Sequence, residues 1–350
     1  MRTLIVGDHF LSSESFRRAI EEIAGDYTGT VDEVAMAGKG TDEQHGVQQV
    51  MEKDGPEAVD TPTEIVDALA GVELLVVHFA PVSEAVLEAG ADLKAVFVAR
   101  AGYENVNVEE AGRRGVAVVN IQGRNADAVA EQAVGFMIAV PRNIVRADAR
   151  IKAGHWGEDL PGPVHELGGR TIGLVGFGHV GRRLARRLSG FDVRLLVYDP
   201  YVDGDVIAGL GGIKADDMDE VFAEADIVSL HARLTDETRG FIGEHQFARM
   251  KPTGYFVNNA RSRMVDYDAL LEALRRGRIA GAALDVHDDE PLPPDSPWRD
   301  LDNVVVTPHI AGMTVQMQEN SYRLVAEAVR EFAETGRCEH TVNAAALGAR

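Results

Sequence analysis

The sequence predicts an α/β protein built from two doubly wound parallel sheets. Three observations carry that expectation. Short runs rich in Val, Ile and Leu alternate with helical stretches along most of the chain. The run Thr171-Ile-Gly-Leu-Val-Gly-Phe-Gly-His-Val-Gly181 reads as a buried strand, a glycine turn and a helix start, and Asp199 stands at the end of the next strand. At 350 residues the chain is long enough for two domains, each with its own core.

The first set of strands is Leu4–Val6, Leu74–Val77, Ala95–Val98 and Val116–Val119. Their shortness and branched, unalternating make-up suit strands buried on both faces. Between the first two, Glu33–Gly55 is polar, acidic and glycine-bearing, and reads as a loop or a poorly ordered insertion. A helical pattern runs from Asn125 to about Ala153, with Val129, Ala133, Phe136, Met137 and Val140 on one face. Pro141 should kink it or split it in two. The second set of strands begins at Thr171 and continues through Val193–Tyr198, Ile227–Leu230, Tyr255–Val257, Gly281–Leu284 and Val304–Val306. A last helix, around Gln318–Thr335, is expected to return to the first domain. The expected division is therefore residues 1–123 with 312–350 in one domain, and 124–311 in the other.

The formal net charge of -21 disfavours nucleic acid and anionic membrane as partners. Lys is scarce beside Arg; a salt-adapted cytoplasm and a GC-rich genome would both produce that pattern. No apolar run approaches the roughly 18 residues of a membrane span. The N-terminus enters a strand-like run at once rather than the apolar segment of a signal peptide, so a cytoplasmic location is the simplest expectation. Cys338 is the only cysteine, which excludes a disulfide framework and a cysteine zinc site. The remaining histidines (His9, His45, His155, His165, His179, His245 and His340) have no metal-ligand spacing, and no metal is expected.

The glycine turn has a division of labour. Gly176 permits the tight turn, Gly178 lets backbone approach a pyrophosphate, and Gly181 lets the helix pack on its strand. Phe177, His179 and Val180 complete the loop, whose helix start offers unpaired N–H groups to phosphate. The Asp199 carboxylate can accept both hydroxyls of an adenosine ribose and would repel the extra phosphate of NADP, so NAD is the expected cofactor. No Lys-Ser/Thr follows the glycines, so this is no P-loop. Arg182, Arg183, Arg186 and Arg187 read as a solvated helix face. Three further charged residues, Arg261, Glu290 and His309, each follow a strand, where open α/β sheets bind ligands.

With these segments on the page, the chain resembles the D-isomer-specific 2-hydroxyacid dehydrogenases. The resemblance rests on Gly173–Gly181, Met250-Lys-Pro252, Asn259-Ala-Arg261 with Val265-Asp266, Ala283-Leu-Asp-Val286 with Glu290-Pro-Leu-Pro293, and Thr307-Pro-His-Ile-Ala-Gly312, five motifs in order over nearly the whole chain. It implies two Rossmann-like domains with substrate in an interdomain cleft, and hydride transfer between NAD(H) and a small 2-keto or 2-hydroxy acid. Arg261 would hold the substrate carboxylate. His309 would exchange a proton with the keto oxygen, and Glu290 beside it would favour the imidazolium. Asp285 matches the residue that meets the nicotinamide carboxamide, with a strand-end cap as its structural alternative. His231, Ala232, Asn259, Ala260 and Gly312 fall on the cofactor side. Phe79, Ala80, Arg100, Ala101 and Gly102 fall in loops expected to cup the substrate, Ala101 and Gly102 through backbone N–H groups. Tyr103 and Glu104 depart from the commoner wording of that loop, and Arg233 stands where many members have Pro. A homodimer is implied, with the Asn125–Trp156 region crossing to the partner. Two alternatives remain open: a phosphoglycerate dehydrogenase without a regulatory domain, for which the chain ending at Arg350 leaves no room, and an NAD-sensing, corepressor-like binding protein.

Overall fold

The computed structural model describes residues 1–35, 41–156 and 163–348. The chain divides into two compact units, Met1–Arg124 with Thr314–Arg350, and Asn125–Met313. Both crossings fall slightly later than the sequence suggests. At the first, the Arg124 side chain is bonded to Ser321 and His78 of its own unit.

Unit 1 carries five parallel strands: β1 (Thr3–Gly7), β2 (Val31–Ala35), β3 (Leu74–Val77), β4 (Ala95–Val98) and β5 (Ala117–Asn120). Their order is β2-β1-β3-β4-β5. Every residue of β1, β3, β4 and β5 is buried, because each sheet face is covered by apolar side chains. On one face Ile5, Phe97 and Val119 pack with Phe16 and Ile20 of helix Ser13–Ala24 and with Val325, Val329 and Phe332 of helix Val315–Thr335. On the other, Leu75, Val96 and Val118 pack with Ile65, Leu69 and Val86. The final helix starts at Thr314, whose hydroxyl accepts the Met317 N–H, and ends at Gly336 in the left-handed region.

The expected loop at Glu33–Gly55 is corrected by the structure. Its start belongs to β2, and Thr41–Asp54 is a helix; residues 36–40 lie outside the described residues. The β2 sequence Val-Asp-Glu-Val-Ala hides a strand because it is an edge that pairs only with β1.

Unit 2 carries seven parallel strands: β6 (Thr171–Val175), β7 (Arg194–Tyr198), β8 (Gly212–Lys214), β9 (Ile227–Leu230), β10 (Tyr255–Asn258), β11 (Gly281–Leu284) and β12 (Val304–Val306). Their order, β12-β11-β10-β9-β6-β7-β8, reverses direction at β6. That reversal places a crevice beyond the carboxyl ends of β6 and β9. Short, polar-edged β8 is not visible in the sequence. Pro141 does divide the long helical pattern, into Ala126–Ala139 and Ile144–Lys152. Rings of Phe222, Phe247 and Phe256 fill one face of the sheet; Phe136, Leu184, Leu188 and Tyr255 fill the other. Among the described residues no helix is long and apolar enough to cross a membrane.

Candidate active site

In unit 2 the chain leaves β6 through Gly176, whose φ is 100°. A Cβ there would lie 2.5 Å from the Ala232 nitrogen and 2.6 Å from the His231 carbonyl carbon, so both strain and contact demand glycine. Gly178 faces open space, with nothing within 4 Å of a built Cβ. At Gly181 a Cβ would meet the Gly176 carbonyl at 2.6 Å, which sets how closely the helix His179–Leu188 packs. Gly178 and His179 are exposed and Val180 is half-buried at the start of that helix. The Asp199 carboxylate accepts the Phe177 N–H at 2.7 Å and the Tyr201 N–H at 2.9 Å, so the acid at the end of β7 is locked to the glycine turn. His231 donates its N–H to Val175 O, and its Nε2 lies 2.8 Å from Ser229 Oγ. Burial pushes the imidazole down to about 3 and keeps it neutral. The arginine-rich helix is not merely solvated: Arg183 and Arg187 pair with Asp127, and Arg187 also with Glu131, pinning it to helix Ala126–Ala139.

The chemistry-bearing loops follow β10, β11 and β12. His309 Nδ1 lies 2.8 Å from Glu290 Oε2, and Glu290 Oε1 accepts the His287 N–H at 2.9 Å. Burial works to raise the Glu290 carboxyl, but the hydrogen bond and charge of His309, with the His287 N–H, hold it below the ordinary carboxylate range. Glu290 is therefore ionised at neutral pH, and His309 Nδ1 carries the hydrogen it shares with it. His309 Nε2 has no partner among the described residues, and the side chain is 31% exposed. His309 itself has a positive φ of 55°. The loop is tied down by Asp285, which accepts N–H groups from Ile310 at 3.0 Å and Ala311 at 2.7 Å, the Gln132 side chain at 3.2 Å, and the Thr307 hydroxyl. Asp285 thus acts as a brace for the His309 loop in this structure. His287 is buried with Nε2 against Thr307 O, a structural position.

Arg261 donates from Nη1 to Ala260 O at 2.8 Å and meets no carboxylate among the described residues. Its turn is held by buried Asn258, whose side chain accepts the Ala260 N–H and donates to Arg261 O and the Tyr267 hydroxyl. Asn258 and Tyr267 escape sequence reasoning because one ends a strand and the other looks like an ordinary helix-start aromatic. Asn259 donates to Val129 O, and its Oδ1 is buried without a partner among the described residues. At Gly312 a Cβ would press within 2.7 Å of the Asn125 side chain.

Unit 1 holds the other expected residues. Phe79 and Ala80 follow β3; Arg100, Ala101 and Gly102 follow β4. The N–H groups of Ala101 and Gly102 have no acceptor among the described residues, while Ala101 O accepts the Asn120 side chain. Arg100 lies 4.9 Å over the Phe79 ring and is paired with Glu52 at 3.1 Å and Glu104 at 2.6 Å. Beside it runs a buried relay that no motif announces. Asp8 Oδ2 lies 2.8 Å from His78 Nδ1, and His78 Nε2 lies 3.0 Å from Arg124 Nη2. Burial, with the charges of Arg124 and Arg100, pushes His78 down to about 4 against the pull of Asp8, so the ring is neutral. Burial, then the like charge of Arg100, brings Arg124 down to about 9, which leaves it cationic at neutral pH.

Comparisons with known proteins agree on one family. The family model described as D-isomer specific 2-hydroxyacid dehydrogenase, NAD binding domain, matches residues 134–311. A glyoxylate reductase of Thermofilum pendens is 43% identical over 69% of this chain and 72% of its own. A D-3-phosphoglycerate dehydrogenase of Methanocaldococcus jannaschii is 37% identical over 81% of this chain but only 54% of its own, so the chain spans about half of that relative. A crystal structure of a Pyrococcus horikoshii protein superposes with a TM-score of 0.74 at 28% identity, covering 99% of this chain and 97% of that one.

Proposed function

Because the chain belongs to the D-isomer-specific 2-hydroxyacid dehydrogenase family, we propose that Arg261, Glu290 and His309 carry its reaction. The protein is an NAD-dependent oxidoreductase acting on the CH–OH group of a small D-2-hydroxy acid or the matching 2-keto acid. Its glycine turn suits a dinucleotide: Gly178 leaves open space beside the turn, Asp199 is tied to the turn where a ribose would be read, and Asn259 Oδ1 has no partner among the described residues. His231, Ala232, Ala260 and Gly312, which follow β9, β10 and β12, are assigned to the same cofactor. Bound NADH supplies the hydride.

The observation that carries the assignment is the Glu290–His309 contact, with His309 Nε2 unpartnered among the described residues. In reduction, protonated His309 gives its Nε2 proton to the keto oxygen as the carbonyl carbon gains a hydride. In oxidation the same nitrogen takes the hydroxyl proton. Glu290 orients the ring and balances its charge. Arg261, uncommitted to any acid among the described residues, holds the substrate carboxylate. In unit 1, the N–H groups of Ala101 and Gly102, without acceptors among the described residues, suit an anionic group of a substrate; Phe79 and Ala80 belong to the neighbouring strand-end loop, and Arg100 holds its own loop through Glu104 and the Gly102 carbonyl.

We propose short 2-keto acids, glyoxylate and hydroxypyruvate, as substrates, with phosphohydroxypyruvate as the competing reading. Initial rates on a keto-acid panel with NADH test this. Turnover of short acids supports it; turnover of the phosphorylated acid alone selects the competitor. Binding of NADH without turnover of any 2-keto acid would leave a sensor rather than an enzyme.

NADH is expected to outperform NADPH. At about 4 Å and an effective dielectric near 20, Asp199 and the extra phosphate repel by roughly 4 kcal/mol per unit charge pair, before ions and water reduce it. Asp199→Ala should narrow the ratio of kcat/KM between the two cofactors; equal efficiency in the unaltered enzyme would refute the role.

We also propose a cytoplasmic homodimer. Helix Ile144–Lys152 buries none of its residues, and Ile144, Val145, Ile151 and Trp156 are at least half or nearly half exposed on it or just beyond it. A monomer mass by sedimentation at micromolar concentration would exclude the dimer.

A further inference from the structure

We propose that Arg124 recognises a second anionic group, carboxylate or phosphate, on a 2-keto acid, and so sets which acids this enzyme prefers. The inference rests on the reading that the strand-end edge of unit 1 receives substrate. Asp8, His78, Arg100 and Arg124 follow β1, β3, β4 and β5 in turn, so all four stand beyond the carboxyl ends of one parallel sheet. The two cations there are in different states. Arg100 is committed to Glu52, Glu104 and the Gly102 carbonyl. Among the described residues Arg124 touches only neutral groups: His78 Nε2 at 3.0 Å, Ser321 Oγ at 3.0 Å and Met317 Sδ.

Those contacts aim the guanidinium. Asp8 takes two backbone N–H groups, from Phe10 and Leu11, on one oxygen and the His78 Nδ1 hydrogen on the other. That fixes the His78 tautomer, so Nε2 can only accept from Arg124. Ser321 and Met317, on the helix Val315–Thr335, hold Nη1. The Nε hydrogen and one Nη2 hydrogen have no partner among the described residues. Two such hydrogens on a planar cation suit a carboxylate or phosphate oxygen pair. Phe10 and Phe79 pack against the His78 ring, and this apolar border weakens solvent screening of the charge. A donor pair of this kind separates acids that carry a further anionic group from those that do not.

The test compares Arg124→Gln and Arg124→Lys with the unaltered enzyme on glyoxylate, oxaloacetate and phosphohydroxypyruvate. We expect the kcat/KM ratio of a doubly anionic acid to glyoxylate to fall about ten- to a hundredfold in Arg124→Gln, and less in Arg124→Lys. A fall confined to oxaloacetate or to phosphohydroxypyruvate tells which anion the site takes. An unchanged ratio, or an equal loss on all three acids, overturns the proposal and makes Arg124 a structural tie. Because Arg124→Gln could unfold the relay, thermal melting with inorganic phosphate gives a second readout. Phosphate should stabilise the unaltered protein more than Arg124→Lys, and equal stabilisation counts against the site. If no 2-keto acid is turned over but this difference persists, the reaction assignment fails while the anion site stands.

Discussion

Replacing His309 by alanine will lower reductive turnover by about two to four orders of magnitude while NADH binding stays near its original strength. The separation follows from where the side chain is anchored. His309 touches Glu290 through Nδ1, whereas the glycine turn and Asp199 are braced independently by β6, β7 and the His231 segment. Turnover by single-turnover kinetics and NADH affinity by fluorescence titration measure the two effects apart. Near-normal turnover would show that another group supplies the proton. The companion change, Glu290→Gln, should move the pH profile of reduction to lower pH. The proton-donating form of His309 loses its counter-charge, so more acid is needed to populate it. An unmoved profile would mean that Glu290 only orients the ring.

Arg261→Lys is expected to reduce kcat/KM by about ten- to a hundredfold for every 2-keto acid tested. The charge survives, but the flat pair of donors does not, and a shorter point charge cannot grip a carboxylate in the same plane. Asn258 and Tyr267 fix the backbone at this turn, so the lysine cannot be carried forward to compensate. The loss should be uniform across glyoxylate, hydroxypyruvate and larger acids because all present the same carboxylate. This contrasts with Arg124, whose substitution should reorder the substrates. A lysine variant with normal efficiency would remove Arg261 from the centre of the reaction.

Much of this organisation is legible in the sequence because the relevant signals are local. Buried parallel strands such as Leu74–Val77 and Ala95–Val98 announce themselves by branched residues with no polar alternation. The glycine turn announces itself by spacing, and Arg261, Glu290 and His309 by following strands. What is hidden is either edge or long-range. Strands β2 and β8 carry Asp-Glu and Gly-Ile-Lys because an edge need not be apolar on both faces. The Thr41–Asp54 helix is too polar to show a stripe. The Asp8–His78–Arg124 relay joins residues separated by 70 and 46 positions, and only the order of the strands brings them together. Asp285 shows a different limit: its position is plain, but that its oxygens are spent on Ile310, Ala311 and Gln132 is known only from the fold.

A ribosome meets the two units in an order unlike their order in the chain. Residues Asn125–Met313 form one uninterrupted unit and can close their core as soon as they have emerged. The first unit is synthesised earlier but finished last, because Val325, Val329 and Phe332 cover the same core as Phe16, Ile20 and Phe97. Until Val315–Thr335 has been made, one face of the β1–β5 sheet therefore lacks its closing helix. That face is where a nascent chain of this protein is most open to misassociation, and where a chaperone would find its grip.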